Sequence, residues 1–428
     1  MAAFDVAKAR AHFPSLKSGF IFGDNAGGSQ VTQGVVDRIS DYLLNTNVQL
    51  GADYSVSVES TRRAMTEAPT EAAKLFNAAS PDEIVFSHSS TMNLENVARA
   101  LEGDIKAGDE FIVTSEHEAN VGPWKKLAAR RGAVIKTWKA MPTSEENPYS
   151  LSLKIAELLP LVTPKTRIVA FTACSNILGS IVPVKAVIAA LRADAKAKGA
   201  PKVEVSVDCV AYAPHRLIDV QDWDVDFAVF SFYKVYGPHI SALYVRAATL
   251  RASLTPLVHH FLNYEHTAYK LQPGGPSYES AYATTGAIAY LESLAPAPAH
   301  DLKQAFAGIA AHEQTLVVPL LGFLTHPAQR ARGVRVVGEE QPGPERVPTV
   351  SFVVVGPKRI RSRDVVGVFD RRGGIGIRFG HFYAYTLVRD LSPEIDIEDG
   401  VVRISFVHYN TVEEVNKVIE ILKEVFAA

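Results

Sequence analysis

The 428-residue sequence has little cysteine, little net charge and no apolar run that we would expect to span a bilayer. Two cysteines, Cys174 and Cys209, are too few for a disulfide framework or a zinc cluster, so we expect inert buried thiols and no metal site. A net charge of −2 argues against a nucleic-acid or membrane partner. Residues 1–16 carry scattered charges and lack the apolar core of a signal peptide. These absences predict a soluble, cytoplasmic protein.

The sequence does contain an alternation of strand and helix patterns between about residues 80 and 246. Alternating βα units predict a mainly parallel sheet of seven strands that is covered on both faces. Ligands of such sheets bind beyond the carboxyl ends of the strands, so the residues that follow each run are the candidates for function. The predicted strands are residues 83–86, 110–113, 134–138, 167–172, 203–207, 226–232 and 242–245.

The pattern changes after about residue 285. A long helical pattern over 301–321 precedes short strand patterns at 334–337 and 349–355. The last helix, 411–426, begins with a capping box in which Glu414 follows Thr411 by three residues. We therefore predict a large α/β domain over residues 15–290 and a small α+β domain formed by 1–14 and 291–428.

Lys234 directly follows an apolar, strand-like run and is flanked by Tyr233 and Val235. Low-dielectric surroundings lower the pKa of such an amine, as an attack on a carbonyl requires, although a lysine can also extend from a strand end to solvent. Asp208 ends the preceding strand pattern, where an unpaired carboxylate would be costly. A lysine and a carboxylate at neighbouring strand ends suit a pyridoxal 5'-phosphate (PLP) site, and a plain buried salt bridge is the alternative.

Three further strand ends carry suitable polar groups. Ser90 and Thr91 open a helix after the first strand, where free N–H groups and hydroxyls can bind a phosphate or simply cap the helix. His117 follows the second strand and is placed to lie over a planar cofactor, although a lone histidine is more often structural. Asn176 follows the fourth strand and can donate to a phenolic oxygen. Together with Lys234 these groups favour a cofactor site.

These motifs resemble the class V aminotransferase family of fold type I PLP enzymes, and most of all its cysteine desulfurase-like branch. Three further segments carry the resemblance: FGDNAGG at 22–28, QPGGP at 272–276 and VRISF at 402–406. The resemblance implies a homodimer whose active site is shared between subunits. It implies PLP contacts by Ser90, Thr91, His117, Asn176, Asp208, Ser231, Tyr233, Lys234 and Gly275, the last from the neighbouring subunit, and substrate contacts by Asn25, Arg378 and Arg403.

Two departures from the family pattern limit the chemistry. The segment RFGHFYAY, 378–385, has Tyr383 where true desulfurases carry the cysteine that attacks the substrate sulfur. Cys174 and Cys209 belong to predicted central strands and are not expected to replace it. Ala211 stands where relatives carry a glutamine or histidine near the cofactor. We therefore do not expect a persulfide mechanism.

The remaining groups predict a PLP-dependent lyase acting on an L-α-amino acid, with Lys234 and His117 as catalytic residues. Lys234, freed when the substrate amine replaces it on the cofactor, is the expected base at the α-carbon. Elimination of a sulfur leaving group from a cysteine-type substrate is the simplest outcome. A decarboxylative aldolase stays open as a second possibility, because Arg378 could bind a second carboxylate. Epimerisation, transamination and a non-enzymatic scaffold also stay open.

Overall fold

The computed structural model of the protein describes residues 4–264, 266–296 and 301–427. Its centre is a seven-stranded sheet with the lateral order β1-β7-β6-β5-β4-β2-β3. Strand β7 is antiparallel to both of its neighbours, and the other pairs are parallel. The strands are β1 Ile84–Ser87, β2 Glu110–Thr114, β3 Val134–Trp138, β4 Thr166–Thr172, β5 Glu204–Asp208, β6 Phe227–Ser231 and β7 Ser241–Val245.

Helices cover both faces of this sheet because its strands are buried on both sides. The helix Val184–Ala197, for example, buries Val184, Val187, Ile188 and Leu191 along one face. The fold therefore confirms the predicted mainly parallel α/β sheet. The longer helices are Gln33–Asn45, Ala68–Phe76, Ser90–Leu101, Gly122–Arg131, Val184–Ala197, Tyr278–Ser293, Leu302–Leu324, Ser362–Arg372 and Val412–Ala427. Shorter ones are Val6–Arg10, Ser55–Thr61, Ile155–Leu158, Val220–Trp223, Ala247–Ser253, Pro327–Ala331 and Tyr385–Arg389.

The C-terminal part of the chain forms a four-stranded antiparallel sheet of lateral order β8-β9-β11-β10. Its strands are β8 Val334–Val337, β9 Thr349–Val354, β10 Arg378–Gly380 and β11 Val401–Ser405. The short strand Ile21–Phe22, which we placed in the large domain, pairs in parallel with Ile375–Gly376. The predicted domain limits remain a prediction, but this pairing places residues 21–24 beside the C-terminal sheet.

A buried ion-pair cluster joins the two parts of the chain. Glu313, on the helix Leu302–Leu324, is fully buried. Its carboxylate lies 2.6 Å from His215 Nδ1 and accepts a hydrogen bond from Arg216 Nη1 at 2.9 Å. Both partners follow β5, so this contact fixes the long helix relative to the central sheet.

The same helix corrects one expectation from the sequence. Leu302–Leu324 is the one helix of the described chain that is long and apolar enough to cross a membrane. A helix in the core of a soluble protein meets the same criteria. Leu316, Leu320 and Leu324 pack into the hydrophobic cluster of the C-terminal sheet, with Val350 and Leu422.

Candidate active site

A cavity lies at the carboxyl edge of the central sheet. A wider vestibule shares several of its lining residues and is bordered by the predicted substrate residues Arg378 and Arg403. Five strand ends therefore meet at one place, as the parallel topology requires. The predicted cofactor residues that line the cavity are Ser90, Thr91, His117, Asn176, Asp208, Ser231, Tyr233 and Lys234.

Lys234 ends a single 3-10 turn, Phe232–Lys234, that continues from β6. Its side chain is 6% exposed and faces the cavity. Burial, reinforced by the charge of Arg403, lowers the pKa of Lys234 to about 8, and the charge of Asp208 opposes this shift. About a tenth of the amine is therefore uncharged at pH 7 and able to attack a carbonyl.

Asp208 is the last residue of β5 and lies opposite Thr172 of β4 and Val229 of β6. One carboxylate oxygen accepts a hydrogen bond from Val210 N at 2.8 Å. Burial raises the pKa of Asp208, and Lys234 counteracts this. A carboxylate held here by main chain can pair with a protonated ring nitrogen.

Glu116 is a second buried carboxyl group in the cavity, and sequence reasoning did not single it out. Its Oε2 accepts a hydrogen bond from Ser175 Oγ at 2.7 Å, whereas Oε1 has no hydrogen-bond partner. Burial and the nearby charge of Asp208 raise the pKa of Glu116 to about 7. Its position next to His117 was a usable signal, but a glutamate before a histidine is too common to be specific.

His117 follows β2 and lines both the cavity and the vestibule. Its Nδ1 accepts a hydrogen bond from Ala119 N at 3.2 Å, so the neutral ring carries its proton on Nε2. Burial, with the charges of Lys234 and Arg403, lowers the pKa of His117 to about 4. The neutral ring can lie against a planar cofactor without adding charge.

Hydroxyl groups line the cavity wall nearest β1 and β7. Ser89 caps the helix Ser90–Leu101 by accepting from Met92 N, so the ordinary capping role falls to Ser89. Ser90 Oγ lies 2.8 Å from Ser231 Oγ and 2.9 Å from Ser241 Oγ. The main-chain N–H groups of the first helical turn and these hydroxyls form a cradle that fits a phosphate.

Asn176 connects the cavity with the predicted substrate region. Its Nδ2 donates to the carbonyl of Phe382 at 3.0 Å, and its buried Oδ1 has no partner. One N–H of the Asn176 amide is left by this contact, and its donation to a cofactor oxygen remains a prediction. The unpartnered oxygens of Asn176 and Glu116, the serine cradle and the depressed lysine pKa fit PLP in polarity and charge.

Two arginines face the vestibule from adjacent strands, since Arg378 of β10 pairs in register with Arg403 of β11. Arg403 is 2% exposed and its Nε has no partner, whereas Arg378 is half-exposed. Asp24 contacts both, at 2.8 Å from Arg403 Nη2 and 3.3 Å from Arg378 Nη1. The ring of Phe382 lies 3.7 Å from the Arg403 guanidinium carbon. Arg403 is thus rigidly held with donors left for a carboxylate.

Asn25 is the one predicted substrate residue that the structure places elsewhere. Its amide donates to the carbonyls of Phe22 and Ser405 and accepts from the hydroxyl of Tyr409. It lines neither cavity because these hydrogen bonds hold its side chain against Phe22, Ser405 and Tyr409, within a turn that follows Asp24. Asp24, which sequence reasoning missed, takes the position that faces the arginines, and its place in the same motif was the available signal.

Gly275 lies in the loop before the helix Tyr278–Ser293 and away from both cavities of its own chain. Tyr233 lines both cavities, and its ring stacks on His239 with centroids 5.2 Å apart. Ala211, which we noted as a departure, also borders the cavity. The phosphate role of Tyr233 and the intersubunit role of Gly275 remain predictions.

Cys174 requires a correction, because it lies beyond the end of β4 and lines the cavity. Burial raises the pKa of its thiol to about 12, so the thiol stays protonated at neutral pH. Cys209 is buried and its pKa is raised well above the ordinary value. Within the described residues no cluster of three or more histidine, cysteine or acidic side chains could hold a metal ion.

Known proteins match the chain along nearly its whole length. The family described as aminotransferase class-V matches residues 21–418 of the chain. The chain is 42% identical to the aminotransferase-like protein FGM3 of Gibberella zeae, over 99% of both sequences. It is 32% identical to the cysteine desulfurase-like protein ustD of Aspergillus flavus, over 98% of this chain and 90% of that protein.

Solved structures show the same architecture. The apo cysteine desulfurase of Thermococcus onnurineus matches the whole of both chains with a TM-score of 0.82 and 24% identity. At this identity the similarity concerns the fold alone. It confirms the fold type I prediction.

Proposed function

The chain belongs to the class V aminotransferase family and is a PLP enzyme of its cysteine desulfurase-like group, and on this premise we propose that it is a lyase acting on an L-α-amino acid. The reaction we propose is C–S β-elimination from a cysteine-type substrate, an S-conjugate or a sulfoxide. Bound PLP supplies an electron sink for negative charge at the α-carbon. The single observation that carries the proposal is a cavity that contains Lys234, whose pKa is lowered to about 8, and no reactive thiolate.

The chain's own groups divide the work in this proposal. Arg403 binds the α-carboxylate through its free donors and orients the α-proton toward Lys234. Lys234, with a pKa of about 8, takes that proton as a general base. His117 and Asp208 hold the cofactor ring, and Ser90, Thr91 and Ser231 hold the phosphate.

The absence of a nucleophilic cysteine separates this proposal from desulfuration. Tyr383 lines the vestibule with its ring 5.5 Å from that of His117, where a thiol would be needed. Cys174 reaches the cavity but remains a protonated thiol. Sulfur is therefore released with its substituent, and hydrolysis of the remaining three-carbon fragment by one water molecule gives pyruvate and ammonia.

The direct test incubates the purified holoenzyme with S-substituted L-cysteines and their sulfoxides and measures pyruvate with a coupled lactate dehydrogenase assay. We expect pyruvate in equal amounts to the released thiol or sulfenate. The D-enantiomers and the Lys234→Ala variant are the controls and should release none. Failure of every cysteine derivative to yield pyruvate would refute the elimination while leaving the cofactor assignment intact.

The contacts of Arg378 favour a second candidate, a reaction on a dicarboxylic amino acid such as decarboxylation with carbon–carbon bond formation. The guanidinium groups of Arg378 and Arg403 both form ion pairs with the carboxylate of Asp24. The side-chain carboxylate of a dicarboxylic substrate could displace Asp24 from Arg378. Carbon dioxide release from L-aspartate in the presence of aldehydes tests this. If Arg378→Ala weakens L-aspartate binding but not L-alanine binding, the dicarboxylic reaction is supported; equal effects on both reject it.

We also propose a homodimer in which the Gly275 loop reaches the phosphate site of the neighbouring subunit. Exposed apolar side chains on the helix Gln33–Asn45 and after it, such as Leu44 and Tyr54, provide a surface for such pairing. Mixing Lys234→Ala with a Gly275→Asp variant tests the sharing, since mixed dimers would regain one intact site. Activity no higher than that of the separate variants would contradict it. A cytoplasmic location is a further proposal, compatible with two unpaired thiols and testable by cell fractionation.

A further inference from the structure

A chain of four buried polar side chains lies behind the phosphate cradle. Ser241, the first residue of β7, is fully buried and donates to the carbonyl of Phe230 at 2.7 Å. Its Oγ accepts a hydrogen bond from Asn93 Nδ2 at 3.1 Å. It also contacts Ser90 Oγ at 2.9 Å, and Ser90 contacts Ser231 Oγ at 2.8 Å.

Counting protons fixes the direction of these contacts. Each hydroxyl has one proton to donate, and that of Ser241 is used on Phe230. Ser90 must therefore donate to Ser241, and Ser231 must in turn donate to Ser90. Both hydroxyls that we assign to the phosphate thus have their protons engaged within the protein.

A bound phosphate needs these protons because its oxygens are acceptors only. Ser241 can release them by turning its own proton from Phe230 to Ser90. The Phe230 carbonyl keeps a partner in the β6–β7 ladder. Phe232 N donates to the Ile240 carbonyl, and hydrogen-bonded pairs recur every second residue along an antiparallel ladder. Phe230 and Ala242 are therefore the next hydrogen-bonded pair. Cofactor binding is then an exchange of hydrogen bonds and not a net gain for this part of the site.

We propose that Ser241 is a positioning residue that sets the affinity for the cofactor phosphate by competing for the hydroxyl proton of Ser90. Ser241 touches neither cavity, so it acts through Ser90. The hydroxyls of the cradle satisfy one another within the protein, so a phosphate has to compete with these hydrogen bonds. Removing the hydroxyl of Ser241 removes this competition.

The test measures dissociation constants of PLP and of pyridoxal, which lacks the phosphate. Lys234→Ala serves as the background, because a covalent bond between Lys234 and the cofactor would mask the contribution of the phosphate contacts to affinity. We expect Ser241→Ala to lower the PLP dissociation constant by about 2- to 12-fold, the worth of one hydrogen bond, and to leave that of pyridoxal unchanged. Ser241→Thr keeps the hydroxyl and should match the background.

Three results would overturn the proposal: unchanged PLP binding in Ser241→Ala, weaker PLP binding, or an equal change for pyridoxal. The last would assign Ser241 a merely structural role, because both ligands would then respond alike. Should Ser241→Ala not fold, Ser241→Cys makes the same comparison, since a thiol is a weak acceptor. Thermal unfolding of the cofactor-free variants checks that each is folded.

Discussion

The pKa of Lys234 gives the most quantitative prediction. With a pKa of about 8, about 9% of the amine is uncharged at pH 7, against about 0.04% for an ordinary lysine near 10.4. The uncharged, reactive fraction of the buried amine is thus about 230-fold larger. In the cofactor-free protein, trace acetylation by acetic anhydride should therefore modify Lys234 with a pH midpoint near 8.

The assay measures the acetylated Lys234 peptide by mass spectrometry, with an added lysine peptide as internal standard. Labelling should rise about tenfold per pH unit below the midpoint and become constant above it. Arg403→Gln removes a charge that lowers the pKa and should move the midpoint up. Asp208→Asn removes a charge that raises the pKa and should move it down.

Arg378→Gln is the matched control, because Arg378 is adjacent to Arg403 in register but is not among the main causes of the Lys234 shift. Its midpoint should equal that of the unmodified protein. A midpoint near 10.4 in the unmodified chain would refute the reasoning, as would shifts of the same sign in Arg403→Gln and Asp208→Asn. The first result would show that burial does not lower the pKa of Lys234. The second would show that the charges of Arg403 and Asp208 do not shift this pKa in opposite directions.

The remaining predictions concern stability and are measured as shifts in urea or thermal unfolding of the variants. Gly179→Ala should cost about 3 kcal/mol, because φ is +68° and the added Cβ would lie 2.1 Å from the Thr349 carbonyl oxygen. Gly199→Ala, with φ +77° and open space around it, should cost only about 1 kcal/mol, and an equal loss would contradict the role of the contact. Glu313→Ala should cost about 3 to 5 kcal/mol, since it leaves a buried ion pair broken; a loss below 1 kcal/mol would show that the contact is dispensable. Asn25→Ala should lower the unfolding temperature and leave substrate KM unchanged, whereas a selective rise in KM would restore it as a substrate residue.

The sequence predicted the central sheet well because its strands are short, apolar on both faces and separated by clear helices. The cofactor residues were accessible for the same reason: parallel strands end at one edge, so Asp208 and Lys234 could be placed together without coordinates. Asn176 and His117 followed from the same rule.

The prediction failed where contacts depend on side-chain direction or on distant segments. Asn25 and Asp24 are neighbours, and only the pairing of residues 21–22 with 375–376 decides which of them faces the arginines. Ser241 begins an antiparallel strand, so the rule that selects residues after each strand passes over it. We expected no apolar run that could span a bilayer, whereas the helix Leu302–Leu324 is long and apolar enough by length and composition alone.

The loop at Phe382 and Tyr383 has a consequence for how this fold changes its chemistry. Both residues adopt left-handed backbone angles, with φ of +49° and +62°. Their carbonyls are held by Asn176 Nδ2 and by the main-chain N–H of Glu118. The loop is therefore anchored through its main chain, and the side chain at position 383 projects 68% exposed into the vestibule. The side chain at this position can therefore be exchanged without rebuilding the loop, because the contacts that hold the loop are made by its main chain.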